Sequence, residues 1–279
     1  MLLGIITAVS ALSAALICVG PGNGSVWALL AGFAGTFVLG LVVAFLFFFV
    51  MCKRVDTSVV QEHDSPFYRK MAEHYIRAIV KILRIKVHTQ GMEQLPKEGR
   101  YLLVCNHLCI ADPVVLLHCF YKSQLAFISK KENNDMFLIG QLMHKLLCQL
   151  INRENDREAL KTILNCIQIL KDDKASIAVF PEGYCSEDGL LHKLKPGVFK
   201  IAQKTNVPIV VCTLRGTSDV IPNMKKLKPS SVQMHLVGVV QPEEFAGKTT
   251  VDISERVFRM MADDLGPELV IPQEPEENC

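Results

Sequence analysis

The stretch Cys105-Asn-His-Leu-Cys-Ile-Ala-Asp-Pro113 puts His107 five residues before Asp112, with apolar runs on both sides. On a continuous helix five residues turn through about 500°, which would hold the two side chains some 140° apart. Pro113 interrupts that geometry. It disfavours the α region for the residue before it and suits the first helical position. The sequence therefore predicts an irregular turn over 107–112 and a helix from 113 with Asp112 as its cap. In such a turn the carboxylate can fold back on one imidazole nitrogen and leave the other facing a cleft. General-base catalysis on a hydroxyl requires that arrangement. The spacing equally admits a structural histidine beside a helix-capping aspartate.

Other residues carry chemistry in the same half of the chain. Phe180-Pro-Glu-Gly183 ends an apolar run. Glu182 would stand at the carboxyl edge of a sheet, where α/β folds place ligands, and Gly183 permits a tight turn with close ligand approach. Lys195 and Gly197 precede a helix. Asn152 and Arg153 follow an apolar stretch, and a guanidinium there can fork onto a phosphate. Pro208 opens a buried strand, Val-Pro-Ile-Val-Val-Cys. Cys105, His107 and Cys109 alternate, with His118 and Cys119 further on, which makes zinc conceivable. Cys109 falls in the turn and no second Cys-x-x-Cys pair exists, so no metal is expected. A nucleophilic Cys105 or Cys109 beside His107 would suit a thioesterase-like acyl-enzyme. Their apolar neighbours favour buried, inert thiols.

The elements that must position these residues follow from periodicity. Strands are predicted at 86–91, 101–106, 125–130, 207–216 and 232–242, and one over 176–183 that ends in a turn. Helices are predicted at 65–85, 112–121, 137–150, 157–172, 197–206 and 250–265. Strands alternating with helices predict an α/β domain, with a mainly parallel sheet flanked by helices.

The N-terminus differs in composition. Residues 2–19 and 26–51 carry no charge, and a polar turn, Gly-Pro-Gly-Asn-Gly-Ser, separates them. Each run is long enough to cross a hydrocarbon core of about 30 Å, so the pair reads as a transmembrane helical hairpin. No basic residue precedes the first run, which argues against a cleaved signal peptide. Lys53 and Arg54 follow the second run and predict a cytoplasmic domain at the cell membrane. The ten cysteines are scattered and expected to be reduced there. Residues 53–100 hold ten Lys/Arg against six Asp/Glu, a basic collar that anionic headgroups would attract or an ordinary solvated helix face. The whole chain of 279 residues has a net charge of only +2, and no nucleic-acid partner is expected. The predicted organisation is an anchor at 1–52, a juxtamembrane helix and linker at 53–90, a catalytic domain at 91–265 and an acidic tail at 266–279.

The ordered set His-x-x-x-x-Asp, an arginine after an apolar run, Phe-Pro-Glu-Gly and Val-Pro-Ile resembles the four blocks of the glycerolipid acyltransferase family, in particular its lysophosphatidate-acylating members in bacteria. The likeness covers about residues 65–250. It implies that His107 is the base that deprotonates the acceptor hydroxyl and that Asp112 orients it. The oxygen would then attack the thioester of an acyl-carrier protein or acyl-CoA directly, with no acyl-enzyme and no cofactor. Arg153 would bind the acceptor phosphate, and Glu182 and Gly183 would shape the acceptor site. Pro208 would line the acyl or acceptor pocket, and Lys130 or Lys131 would add positive charge. The implied product is phosphatidic acid, made by acylating the sn-2 hydroxyl of a lysophospholipid at the bilayer. Two departures stand out. The third block of the family often continues Gly-Thr-Arg-Ser, but here it reads Gly183-Tyr184-Cys185-Ser186. The first block often has serine two after the histidine, where this chain has Cys109. Without the arginine another lyso-lipid is the rival acceptor, and Lys195 is a candidate replacement charge. A non-catalytic, membrane-anchored lipid-binding protein is the alternative of another kind, with no use for His107 and Asp112 together.

Overall fold

The computed structural model describes residues 2–19 and 25–271. The turn glycines at 20–24, the acidic tail from 272 and Cys279 lie outside the described residues. Two long helices come first, α1 (Leu2–Val19) and α2 (Val26–Lys53). They pack on each other, and Ser25 caps α2 by accepting from the Ala28 N–H. α2 is long and apolar enough to cross a membrane, and no residue of its most apolar window is fully buried.

α3 (Pro66–Ile82) follows, with proline in its first turn. Its apolar stripe, Met71, Ala72, Ile76, Ala78 and Val80, is buried, as the helical spacing predicts. The chain then alternates strands and helices: β1 (Ile85–Gln90), β2 (Leu102–Cys105), α4 (Asp112–Cys119), β3 (Leu125–Lys130), α5 (Ile139–Lys145), β4 (Gln149–Ile151), α6 (Asp156–Lys171) and β5 (Ser176–Val179). α7 (Lys200–Thr205), β6 (Ile209–Arg215), α8 (Val220–Lys225), β7 (Ser230–Val240), α9 (Pro242–Phe245) and α10 (Thr250–Leu265) complete it.

The seven strands form one sheet in the order β1-β7-β6-β2-β5-β3-β4. Strands β6, β2, β5, β3 and β4 are parallel. β7 turns back antiparallel to β6, and β1 runs parallel to β7. The expected mainly parallel α/β sheet is present, mixed only at one edge.

Alternation along β2 divides the core in two. Leu102 and Val104 join the layer under α6, α7 and α10. Leu103 and Cys105 join the layer under α3 and α4. A strand buried on both faces reads as a continuous apolar run, and all four residues of β2 are fully buried.

Three expectations change. The helix expected over 137–150 is only α5, and Gln149–Ile151 is the edge strand β4. Leu138 and Leu147 both take positive φ, near 62°, which breaks the helix at each end. Both side chains are buried, and that burial outweighs an αL cost of about 1–2 kcal/mol. The boundary at 90/91 is also displaced, because β1 pairs with β7 along six residues and so belongs to the sheet. Finally, residues 266–271 are docked: the Leu191 N–H donates to the Leu269 carbonyl and the Ile271 N–H to the Leu191 carbonyl.

Candidate active site

The parallel strands β2, β5, β3 and β6 end at one edge of the sheet, and the chain leaving them builds the site. Asn106 follows β2 directly. Its side chain donates to the Leu214 carbonyl and accepts from the Leu214 N–H, which locks the end of β2 to β6. His107 is next. Its Nδ1 lies 2.7 Å from Oδ2 of Asp112. Asp112 has no exposed surface, and the His107 side chain keeps 15 %.

Asp112 does not cap α4. The helix begins at Asp112 itself, with Ala111 before it and no side-chain cap. The carboxylate turns back into the loop instead. Oδ2 accepts from the N–H groups of Leu108 (2.6 Å) and Cys109 (2.8 Å) as well as facing the imidazole. The sequence reading of a fold-back is correct, whereas the forward cap was not. An acceptor-only carboxylate puts the ring proton on Nδ1, leaving the Nε2 lone pair on the outer side. The histidine and aspartate therefore share one environment.

The turn after β5 supplies the second wall. Phe180 stacks on the His107 ring, with centroids 4.0 Å apart and planes 13° from parallel. Glu182 is 1 % exposed. One of its oxygens accepts from the His107 N–H (2.8 Å) and the other from the His192 N–H (3.0 Å). Burial pushes its carboxyl up, while those two donors and the nearby imidazoles draw it back. Glu182 thus holds the backbone of the base rather than facing outward. Gly183 adopts φ +86°, and a Cβ there would lie 2.9 Å from the Lys195 side chain. The positive φ is the reason for glycine, and the flexible end of the Lys195 side chain lies against Gly183.

The loop that follows closes over the ring. The Ser186 N–H donates to the His107 carbonyl at 2.7 Å. Cys185 Sγ sits 3.0 Å from His107 Nε2. Cys185 is the one exposed thiol among the described cysteines. Its thiol is raised by partial burial and by the Asp112 charge, and drawn down by Arg153. Arg153 follows the edge strand β4. The other two thiols of the first turn are of a different kind. Burial holds Cys105 far above the ordinary thiol range. Cys109 is pushed up to about 11, and its Sγ donates to the Thr217 carbonyl.

The remaining candidates divide. Lys130 ends β3 and Lys131 follows it on the same edge, paired with Glu132 (3.6 Å) and Glu158 (3.9 Å) respectively. Pro208 is elsewhere. It precedes β6, and its carbonyl accepts from the Leu102 N–H at the start of β2. Parallel strands put their starts at one edge and their ends at the other. Pro208 therefore lies at the edge opposite His107 and does not line this site. Sequence reasoning missed Asn106, Phe180 and the contact of Cys185. Only Cys185 had a signal, the departure at the third block, and that departure was read as a missing charge rather than a present thiol.

An imidazole oriented by a buried carboxylate, set at the carboxyl edge of a mainly parallel sheet, defines an α/β protein with a polarised base. Residues 86–215 match the family model described as Acyltransferase. The chain is 30 % identical over 210 residues to a 1-acyl-sn-glycerol-3-phosphate acyltransferase of Chlamydomonas reinhardtii, covering 73 % of this chain and 61 % of that one. It is 28 % identical over 180 residues to a probable enzyme of the same description from Mycoplasma pneumoniae, covering 63 % and 66 %. The chain thus spans less than two thirds of the length of these relatives. The crystal structure of a 1-acyl-sn-glycerophosphate acyltransferase from Thermotoga maritima has the same fold, with a TM-score of 0.57 and 21 % identity over 94 % of this chain and 96 % of that one.

Proposed function

We propose that this protein is a membrane-bound 1-acylglycerol-3-phosphate O-acyltransferase, which moves an acyl group from a thioester to the sn-2 hydroxyl of a lysophosphatidate and yields phosphatidic acid. The observation that carries the reading is the 2.7 Å contact between His107 Nδ1 and a fully buried Asp112. In this chemistry Nε2 takes the hydroxyl proton, the oxygen bonds to the acyl carbonyl carbon, and the carbon–sulfur bond breaks. The departing carrier thiolate recovers the proton from the imidazolium. Asp112 stabilises that imidazolium and fixes its orientation. Arg153, with Lys195, Lys130 and Lys131, is the cationic group suited to the acceptor phosphate. The reaction so written calls for no cofactor. Acyl-carrier protein and acyl-CoA both present the required thioester.

The relatives' descriptions and the family match support the acceptor class. The apolar helix α2 supports a place at the membrane, and Lys53 and Arg54 at its end support a cytoplasmic face by the positive-inside rule. One observation favours a second acceptor: a thiol, Cys185, faces Nε2 where the family often carries arginine, which suits a lyso-lipid with a less charged headgroup.

The test is acyl transfer by the purified protein to a panel of lyso-lipids, with acyl-carrier-protein and CoA donors compared side by side. Lysophosphatidate should be preferred. His107→Ala and Asp112→Asn should each lower kcat by about 10²–10⁴-fold with little change in folding. Lipid binding with unchanged turnover in His107→Ala would instead favour the binding protein.

A further inference from the structure

The turn between α8 and β7 holds an exposed leucine in an unfavourable backbone conformation. Leu227 takes φ +53°, in the left-handed region that leucine normally avoids. Leu138 and Leu147 share that region but bury their side chains, whereas Leu227 is 82 % exposed. Packing does not offset its strain, and such strain persists only where the surroundings impose it. Here hydrogen bonds impose it. The Leu227 N–H donates to the Met224 carbonyl, and the N–H groups of Lys226 and Lys228 both donate to the Asn223 carbonyl. The Asn223 side chain donates to Ser230 Oγ, and the Arg84 guanidinium donates to the Leu227 carbonyl. The result is a stitched turn with an apolar tip. Its neighbourhood is basic and apolar together. Lys225, Lys226 and Lys228 flank the tip and are exposed, as are Lys81, Arg84 and Lys86 at the end of α3 and the start of β1. No Asp or Glu occurs in residues 74–92 or 220–242. Ile79, Ile82 and Met224 are exposed as well. The Tyr68 hydroxyl meets the Met51 carbonyl and the Tyr75 hydroxyl the Ala44 carbonyl. α2 therefore runs antiparallel to α3, and its earlier turns lead toward Ile79 and Ile82.

We propose that the turn 224–228 is a second membrane contact, separate from the N-terminal helices, which inserts Leu227 into an anionic bilayer surface. Each group suits that partner. A leucine tip enters the acyl boundary, while lysine stems lie along apolar surface and keep their ammonium groups among the headgroups. Six cations from segments without a carboxylate attract a negative leaflet. An acidic protein matches the same charges, but leucine is under-represented among the side chains that anchor protein interfaces. The lipid surface accounts for the outward apolar tip as well as for the charge. A turn already stitched in one conformation loses little freedom on insertion. The contact also bears on the site. Thr217, just before α8, accepts from Cys109 Sγ in the His107 turn, and Ile110 in that turn is exposed. A docked Leu227 thus steadies the segment against which the His107 turn rests. This contact adds to the acyl-transfer reading and does not depend on it.

The chain has a single tryptophan, Trp27, so a fluorescent reporter can be moved to the tip. The full chain carrying Trp27→Phe and Leu227→Trp is reconstituted in vesicles of phosphatidylglycerol and phosphatidylcholine that include a lipid brominated on its acyl chain. Leu227 is exposed, so the exchange leaves the core intact. The emission should be blue-shifted, quenched by the brominated lipid and shielded from aqueous iodide. Vesicles of phosphatidylcholine alone, or added salt, should weaken all three effects. Trp27→Phe with Leu160→Trp is the control, because Leu160 is exposed on α6, on the other face of the sheet, and should stay open to iodide. Replacing Lys225, Lys226 and Lys228 together by Gln should weaken docking of the turn about 10²-fold and return the emission to its iodide-accessible state. A Leu227→Trp emission that the brominated lipid leaves unquenched overturns the proposal. Quenching that survives the triple lysine replacement unchanged also overturns it, since an anionic surface is then not the partner. Shielding from iodide by added acyl-carrier protein, without quenching by the brominated lipid, gives the patch to an acidic protein and overturns the membrane contact. None of these signals requires acyl transfer, so a protein without that activity leaves the contact standing, and an active enzyme with an unquenched tip leaves the proposed function standing.

Discussion

Glu182 illustrates how one carboxylate can matter without touching a substrate. Its two oxygens accept from two different backbone N–H groups, those of His107 and His192. Glu182→Gln replaces one acceptor by an amide donor, which then opposes an N–H. Leaving one of those donors unpaired costs about 1–3 kcal/mol. The strand end that carries His107 should shift, with kcat falling about 10- to 100-fold while donor affinity changes less. The same substitution gives a pH test. Burial raises the folded-state carboxyl above its ordinary value of 4.5. A group raised by folding contributes stability that is fully present below the unfolded pKa and lost as pH rises through the folded one. Thermal melts from pH 4 upward should therefore show the wild type losing ground to Glu182→Gln over that interval. A constant gap between the two would remove Glu182 from this role.

At the scale of elements, one arginine adds polar ties to the apolar packing that holds α3 on the sheet. Arg69 forks onto Asp64 through Nε and Nη2, while Nη1 donates to the Leu125 carbonyl and Nη2 to the Leu146 carbonyl. Both side chains of the pair are largely buried, at 12 % and 7 % exposed. Arg69→Ala strands a buried carboxylate and two carbonyls, and should cost about 2–4 kcal/mol in denaturant unfolding. Arg69→Lys should recover less than half of that, because an ammonium cannot make the fork. Full recovery by lysine would mean that charge alone makes these ties.

The strands and helices between 65 and 265 were legible because their apolar periods are clean: α10 runs from 250 to 265 as its pattern says, and β2 reads as an unbroken apolar run. Where the pattern failed, tertiary contacts had overruled it. Leu138 and Leu147 look like helix residues, yet both sit in left-handed turns because their side chains reach the core there. The His107–Asp112 pair was legible through Pro113. Spacing carries no information on which edge of the sheet a residue reaches, so Pro208 was placed at the wrong one. Nor does it tell how a loop folds back across 78 residues to set a sulfur against a ring.

At the scale of the whole molecule, the N-terminal helices are built into the domain rather than strung to it. The Tyr68 hydroxyl donates to the Met51 carbonyl (2.9 Å) and the Tyr75 hydroxyl to the Ala44 carbonyl (2.5 Å). Phe48 packs on Tyr75 and Phe49 on Phe137. Cys52, Met71 and Leu138 form a small core shared by α2, α3 and the start of α5. In the proposed membrane-bound state, an anchor joined this way would fix the tilt of the domain against the bilayer, whereas a flexible tether would leave it free. Beside the joint, Phe67, Ile82, Phe137 and Ile139 are exposed, and the basic collar lies in the same region of sequence. Deleting residues 1–52 should therefore have two separable effects. The truncated chain should move from the membrane fraction to weak, salt-sensitive binding of anionic vesicles. Its activity on lysophosphatidate held in vesicles should fall much further than its activity on a short-chain, water-soluble acceptor. If the two activities fell together, the shared core at Cys52, Met71 and Leu138 would be serving the stability of the domain, and the orientation of the site would have to come from the collar alone.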